Sequence, residues 1–142
     1  MPETYHGRCF CGAVRLEVTG DPVAEGYCHC ADCRAWSSGP VTAYGLWPAT
    51  AVSIVAGEDK LGCYSKTGTT NRRACMSCGG TVMAALPEAG LIDVFPTLLE
   101  GRAFSPRAHV HYASRVMDMP DGLPKFADLP EEGGGTGKMI SD

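Results

Sequence analysis

The sequence predicts a mainly β protein stapled by metal. Short runs with period-2 alternation recur along the chain, and turn residues punctuate them at intervals of roughly ten residues. No segment sustains a helical period for three turns. Seven of the eight cysteines fall into three tight clusters, a density that a reducing compartment turns toward metal rather than disulfide.

The elements follow in order. Val14, Leu16 and Val18 alternate with Arg15 and Glu17, a strand that Gly20-Asp21-Pro22 ends. Tyr27 to Cys33 reads as a compact cysteine knuckle, and Ala31 to Trp36 as a short helix stopped by Ser37-Ser38-Gly39-Pro40. Strands are expected at Val41–Leu46, Val52–Val55, Leu61–Ser65, Arg72–Ala74, Thr81–Leu86, Ile92–Phe95 and His109–Tyr112. Residues 1–130 are expected to form one domain. Residues 131–142, EEGGGTGKMISD, are glycine-rich and polar and read as a disordered tail.

Composition narrows the function. The chain has 142 residues and a net charge of -4, so it has no general attraction to phosphate backbones or anionic membranes. No apolar run approaches the roughly 20 residues of a membrane helix. The first residues, MPETYHGRCFCG, lack a signal-peptide pattern, which makes the cytoplasm the default location. Nucleic acid and membrane are therefore not expected partners.

The clusters are C-F-C at Cys9 and Cys11, C-H-C-A-D-C at Cys28, Cys30 and Cys33, and C-M-S-C-G-G at Cys75 and Cys78. Cysteines two apart on a strand face one side, and a C-x-x-C turn converges two sulfurs on one centre. A following glycine permits a left-handed backbone and a close approach of its amide to sulfur. Zinc is the default ion for a closed thiolate cage. Two plus two cysteines make a closed tetrahedral site, and the remaining three leave one position open, as catalytic zinc does. Spacing alone does not decide which clusters pair. A zinc ribbon from Cys30, Cys33, Cys75 and Cys78, a disulfide framework, and completion of the second site by His29 compete with that division. Cys63 stands apart and reads as a buried small hydrophobe.

The segments G-R-C-F-C-G-A-V-R-L, Y-C-H-C-A-D-C-R, A-C-M-S-C-G-G-T and H-V-H-Y-A-S-R-V-M-D-M-P-D-G-L-P-K-F resemble the glutathione-dependent formaldehyde-activating enzyme family, which includes the centromere protein V domain. The resemblance spans roughly residues 5–130. It implies a β-tent zinc fold of packed antiparallel sheets and two zinc ions per chain. It implies that Cys9, Cys11, Cys75 and Cys78 hold a structural zinc, and that Cys28, Cys30 and Cys33 hold a catalytic one. The activity it implies is carbon–sulfur lyase chemistry, the joining of glutathione and formaldehyde to give S-(hydroxymethyl)glutathione. Glutathione, or another small thiol, and a small aldehyde are then the partners. A non-catalytic zinc-stapled interaction module is the alternative.

Beside the cysteines, Arg34 is the cation best placed to meet a glutathione carboxylate or to balance thiolate charge. Trp36, Tyr44 and Trp47 can line a pocket, though aromatics at such spacing are more often core. His109 and His111 alternate along their expected strand and can face one site, a structural role being the simpler reading.

Overall fold

The computed structural model describes residues 2–142. It divides into two compact units. One runs up to Ala24 and resumes over Gly45–Phe104; the other comprises Glu25–Tyr44 and Ser105–Asp142.

The first unit is antiparallel β. Strands β1 (Thr4–Arg8) and β2 (Arg15–Thr19) pair, and β2 also pairs with a later strand, β5 (Val52–Ala56). In β2 the expected alternation is realised: Leu16 and Val18 are fully buried while Arg15 and Thr19 face solvent. A second antiparallel run joins the end of β4 (Thr42–Pro48) to β9 (Leu91–Val94), then β8 (Thr81–Leu86), β7 (Asn71–Cys75) and β6 (Leu61–Tyr64). Leu16, Val18, Trp47, Val82, Met83 and Val94 form the core, drawn from both sheets. Trp47 is fully buried, and its indole N–H donates to the Gly20 carbonyl at 3.0 Å. This aromatic is core, not pocket lining.

The second unit is built differently. Strand β3 (Ala24–Cys28) pairs with β10 (Ala108–Val110) in parallel register, Tyr27 opposite His109 and Cys28 opposite Val110. The approach is so close that a Cβ on Gly26 would lie 2.1 Å from the Ala108 carbonyl oxygen, so only glycine fits there. Helix α1 (Ala31–Ser37) follows, one residue longer than expected, and Ser38 closes it in the left-handed conformation.

Four expectations change. Strands β1 and β3 carry no apolar alternation. Gly7 is the single buried residue of β1 (TYHGR), and β3 (AEGYC) buries Glu25, Gly26 and Cys28 without alternation; tertiary pairing, not pattern, makes both extended. The expected strand His109–Tyr112 stops at Val110, because His111 is left-handed (φ 54°) and a 3-10 turn covers Tyr112–Ser114. Cys63 is exposed rather than buried, since β6 is an edge strand whose Leu61 end alone reaches the core. The tail is not the loose segment its composition suggests: Ile140 N–H donates to the Lys125 carbonyl, Ala127 N–H to that of Lys138, and the Thr136 hydroxyl to Asp128. Its glycines serve as turn residues, Gly134 and Gly137 both having positive φ.

Candidate metal centres

The four-cysteine group lies in the first unit. Cys9 and Cys11 leave the end of β1, Cys75 ends β7, and Cys78 sits in the turn before β8. Their sulfurs lie within 4.8 Å of one another. Cys9 Sγ is 3.7 Å from Cys11 Sγ, which is 3.9 Å from Cys75 Sγ. Four sulfurs at about 2.3 Å from a tetrahedral ion stand about 3.8 Å apart, so the donor set has the size zinc needs. The turns are shaped for it. Gly12 and Gly79, which follow Cys11 and Cys78, both take positive φ. The amide that reaches Cys78 Sγ comes one residue later than expected, from Gly80 at 3.4 Å, and Val14 N–H reaches Cys9 Sγ at 3.3 Å.

These contacts set the thiols apart. Burial pushes Cys9 up, but the Val14 amide and the neighbouring thiols outweigh it and bring it down to about 6. The Gly80 amide lowers Cys78. Cys11 is pushed up to about 11: the Ala13 amide favours its thiolate, but burial and its position as donor to the other three sulfurs win. Cys9 and Cys75 are buried within the hydrophobic core itself. Arg8 and Arg15 face each other across the β1–β2 ladder, a like-charge pair that is unfavourable alone. Both guanidinium groups approach the position of a Gly12 Cβ, next in sequence to Cys11.

The three-cysteine group lies in the second unit. Cys28 ends β3, and Cys30 caps α1, its sulfur accepting from Cys33 N–H at 3.3 Å. The three sulfurs also lie within 4.8 Å of one another, and no histidine or carboxylate joins them among the described residues. Hydrogen bonds from the Cys28 and Cys33 thiols hold Cys30 far below the ordinary thiol range, while donating those bonds, together with burial, drives Cys28 up. Such a group holds a thiolate readily and has the donor chemistry for zinc.

His29 is not a fourth ligand. It is fully buried and turned toward His109, Nε2 to Nδ1 at 2.8 Å. Burial first, and then the neighbouring His109, Arg115 and Arg34, lower it to about 4. His109, also fully buried, continues to Asp121 at 2.8 Å, and Asp121 bonds Lys125 Nζ at 2.8 Å. Burial raises the Asp121 carboxyl, but bonds from Lys125, His109 and the Leu123 amide outweigh it and leave it well below the usual range. The sequence points to His109 as a strand histidine able to face a site, with a structural role the simpler reading, and does not single out Asp121 or Lys125. The available signal was their shared segment D-G-L-P-K-F.

Arg34 is half-buried. Its Nη1 donates to the carbonyls of His29 and Ser114, at 2.5 and 2.7 Å, so it ties the cysteine loop to the 3-10 turn after β10. Trp36 is half-buried and Tyr44 buried within this unit.

Residues 4–114 match the family described as glutathione-dependent formaldehyde-activating enzyme. The chain belongs to that family. Among its relatives, a Schizosaccharomyces pombe protein named an uncharacterized lyase is 33% identical over 85 residues, 60% of this chain and 59% of that protein. A Talaromyces marneffei protein is 26% identical over 124 residues, 81% of this chain and 66% of that one. An Emericella nidulans protein is 29% identical over 99 residues, 66% of this chain and 50% of that one. The Talaromyces marneffei and Emericella nidulans proteins carry the name "Putative glutathione-dependent formaldehyde-activating enzyme". The alignments thus cover between half and two thirds of the length of these relatives. A crystal structure of a Rhodobacter sphaeroides protein shares the fold, with a TM-score of 0.58 at 24% identity over 69% of this chain and 90% of that one. Among the described residues no helix is long and apolar enough to cross a membrane.

Proposed function

We propose that the protein is a zinc-dependent enzyme of carbon–sulfur lyase type that makes or breaks a thiol–aldehyde adduct. Its preferred reaction is the joining of glutathione and formaldehyde to S-(hydroxymethyl)glutathione. The observation that carries this reading is the contrast in donor number: one sulfur group reaches four, and the other stops at three with no further ligand among the described residues. Family membership supports it. Zinc on Cys28, Cys30 and Cys33 would offer one exchangeable position for a small-molecule thiol and lower that thiol's pKa.

The chain's own residues do the rest. Cys28, Cys30 and Cys33 converge from a strand end and a helix cap, so their spacing is set by backbone. Arg34 keeps one nitrogen on the His29 and Ser114 carbonyls, and its positive charge, next in sequence to Cys33, would steer a thiol that bears carboxylates. In the reaction the new bond joins the thiol sulfur to the aldehyde carbon, the carbonyl π bond breaks, and the thiol proton ends on the carbonyl oxygen. No redox partner is needed.

Calorimetry of zinc-loaded protein with glutathione, run in buffers of different ionisation enthalpy, tests the reading. Binding with release of close to one proton is expected, since a free thiol of pKa about 8.5 must ionise to coordinate. Formaldehyde consumption in the presence of glutathione is expected from the same sample. Equal binding of S-methylglutathione without proton release would overturn thiol coordination.

A further inference from the structure

The residue between Cys28 and Cys30 is held through its amide, its carbonyl and one ring nitrogen. His29 N–H donates to the Val110 carbonyl at 3.1 Å, its carbonyl accepts from Arg34, and its ring bonds His109. The ring contacts lie behind the cysteines rather than among them. Tyr27 in β3 and His29, one residue past its end, both turn to the His109 ring. His109 stacks on both, at 4.9 Å from Tyr27 and 5.0 Å from His29, and the Tyr112 ring meets His29 edge-on at 4.9 Å.

The direction of the hydrogen bonds follows from the end of the chain. Asp121 is held as a carboxylate by Lys125, whose ammonium is 1% exposed and also bonds Asp142. A carboxylate accepts only, so His109 donates from Nε2, and in the neutral ring its Nδ1 carries a lone pair. His29 must then donate from Nε2. Its Nδ1, buried and without a partner among the described residues, is left as an acceptor. One carboxylate therefore sets the tautomer of two buried rings in series.

We propose that Asp121, His109 and His29 form a tautomer-fixing relay that locks the Cys28–Cys30 loop, which makes Asp121 and His109 positioning residues of the three-cysteine site. The relay explains why a polar ladder is buried in a unit with little apolar core: it replaces packing as the device that fixes the spacing of two sulfurs. Partners that orient ligand residues in this way are worth 10–100-fold in metal affinity. The positioning half of the proposal rests on the reading of this group as a metal site; the tautomer half does not.

The test has two readouts on the full chain. Long-range 15N–1H correlation spectra of the wild type should show both His29 and His109 protonated at Nε2; protonation of either ring at Nδ1 would overturn the relay. Asp121→Asn can donate to His109 and reverse both rings. It should keep the melting profile of the first unit and its tightly held zinc, but lose the second zinc to a chromogenic chelator at a concentration roughly 10–100-fold lower than the wild type needs. Asp121→Glu should restore part of the retention, and His109→Gln should mimic the loss if Asp121→Asn folds poorly. Two zinc ions held equally tightly in the wild type, Asp121→Asn and His109→Gln would overturn positioning. A wild type that binds a single zinc would instead overturn the functional reading of the cysteines, with the tautomers still deciding the relay.

Discussion

The two units of this protein solve the problem of holding sulfur atoms together in opposite ways. In the first, Cys9 and Cys75 are part of the hydrophobic core, surrounded by Val14, Leu16 and Val82. In the second, Cys28, Cys30 and Cys33 sit at a strand end and a helix cap backed by charged and imidazole groups. A group embedded in the core stands or falls with the fold. A group mounted on a hydrogen-bonded frame can exchange a ligand without disturbing apolar packing. The difference supports reading the first group as the stabilising site and the second as the exchanging one.

Removing one sulfur from each unit should break the symmetry most sharply. Structural zinc supplies about 10–16 kcal/mol in small domains, against a whole-domain stability of about 5–15 kcal/mol. Cys75→Ser is therefore expected to unfold or insolubilise the protein, read by circular dichroism and by the soluble fraction. Cys33→Ser is expected to stay folded, to drop from two zinc ions to one by elemental analysis, and to lose formaldehyde consumption. Equal loss of fold in both variants would erase the distinction between the sites.

Trp47→Ala sharpens the comparison from the packing side. A buried large aromatic replaced by alanine costs about 3–5 kcal/mol, and here a hydrogen bond to Gly20 goes with it. Denaturant unfolding should show that loss while the second zinc remains in place in the folded protein. Arg34→Ala acts on the other unit and should weaken glutathione more than mercaptoethanol. A charge-assisted hydrogen bond contributes about 1.5–3 kcal/mol, so a roughly 10–100-fold gap between the two thiols is expected by calorimetry. Equal weakening of both would leave Arg34 as a strap between its two carbonyls.

The smallest expected effect is acid sensitivity confined to the second unit. Asp121 and Asp128 are both held below the usual carboxylate range, Asp128 chiefly by the Thr136 hydroxyl. A depressed folded pKa gives stability that is complete above the unfolded value of about 3.9 and is lost as pH falls below it. Hydrogen exchange at Leu123, Leu129 and Thr136, whose amides donate to these carboxylates, should therefore accelerate below about pH 3.9. Uniform acceleration across both units would contradict it.

What the residues announce and what they conceal divides along a physical line. The strand Thr81–Leu86 was legible to the residue, the short helix after Cys30 to within one residue, and the grouping of seven cysteines outright, because period, capping and spacing are local properties. Cysteine chemistry is so specific that the division into four and three needed no coordinates to be conceivable. Its pairing did: Cys11 meets Cys75 across 64 positions of chain, and nothing local selects that partner over Cys30 and Cys33. The same holds for β3, a segment without apolar alternation made into a strand by parallel pairing with residues some eighty positions later, and for the tail, whose glycines serve turns that dock on Phe126 and Lys125. His109 is the clearest case. Alone it reads as one more strand histidine; beside His29 and Asp121 it has a defined donor and acceptor. By itself the sequence determined the ligand inventory and the β character, since both are written in neighbouring residues. The tertiary structure decided which sulfurs converge and which ring orients which, because a hydrogen bond between distant segments exists only once the backbone has brought its donor and acceptor to within about 3 Å.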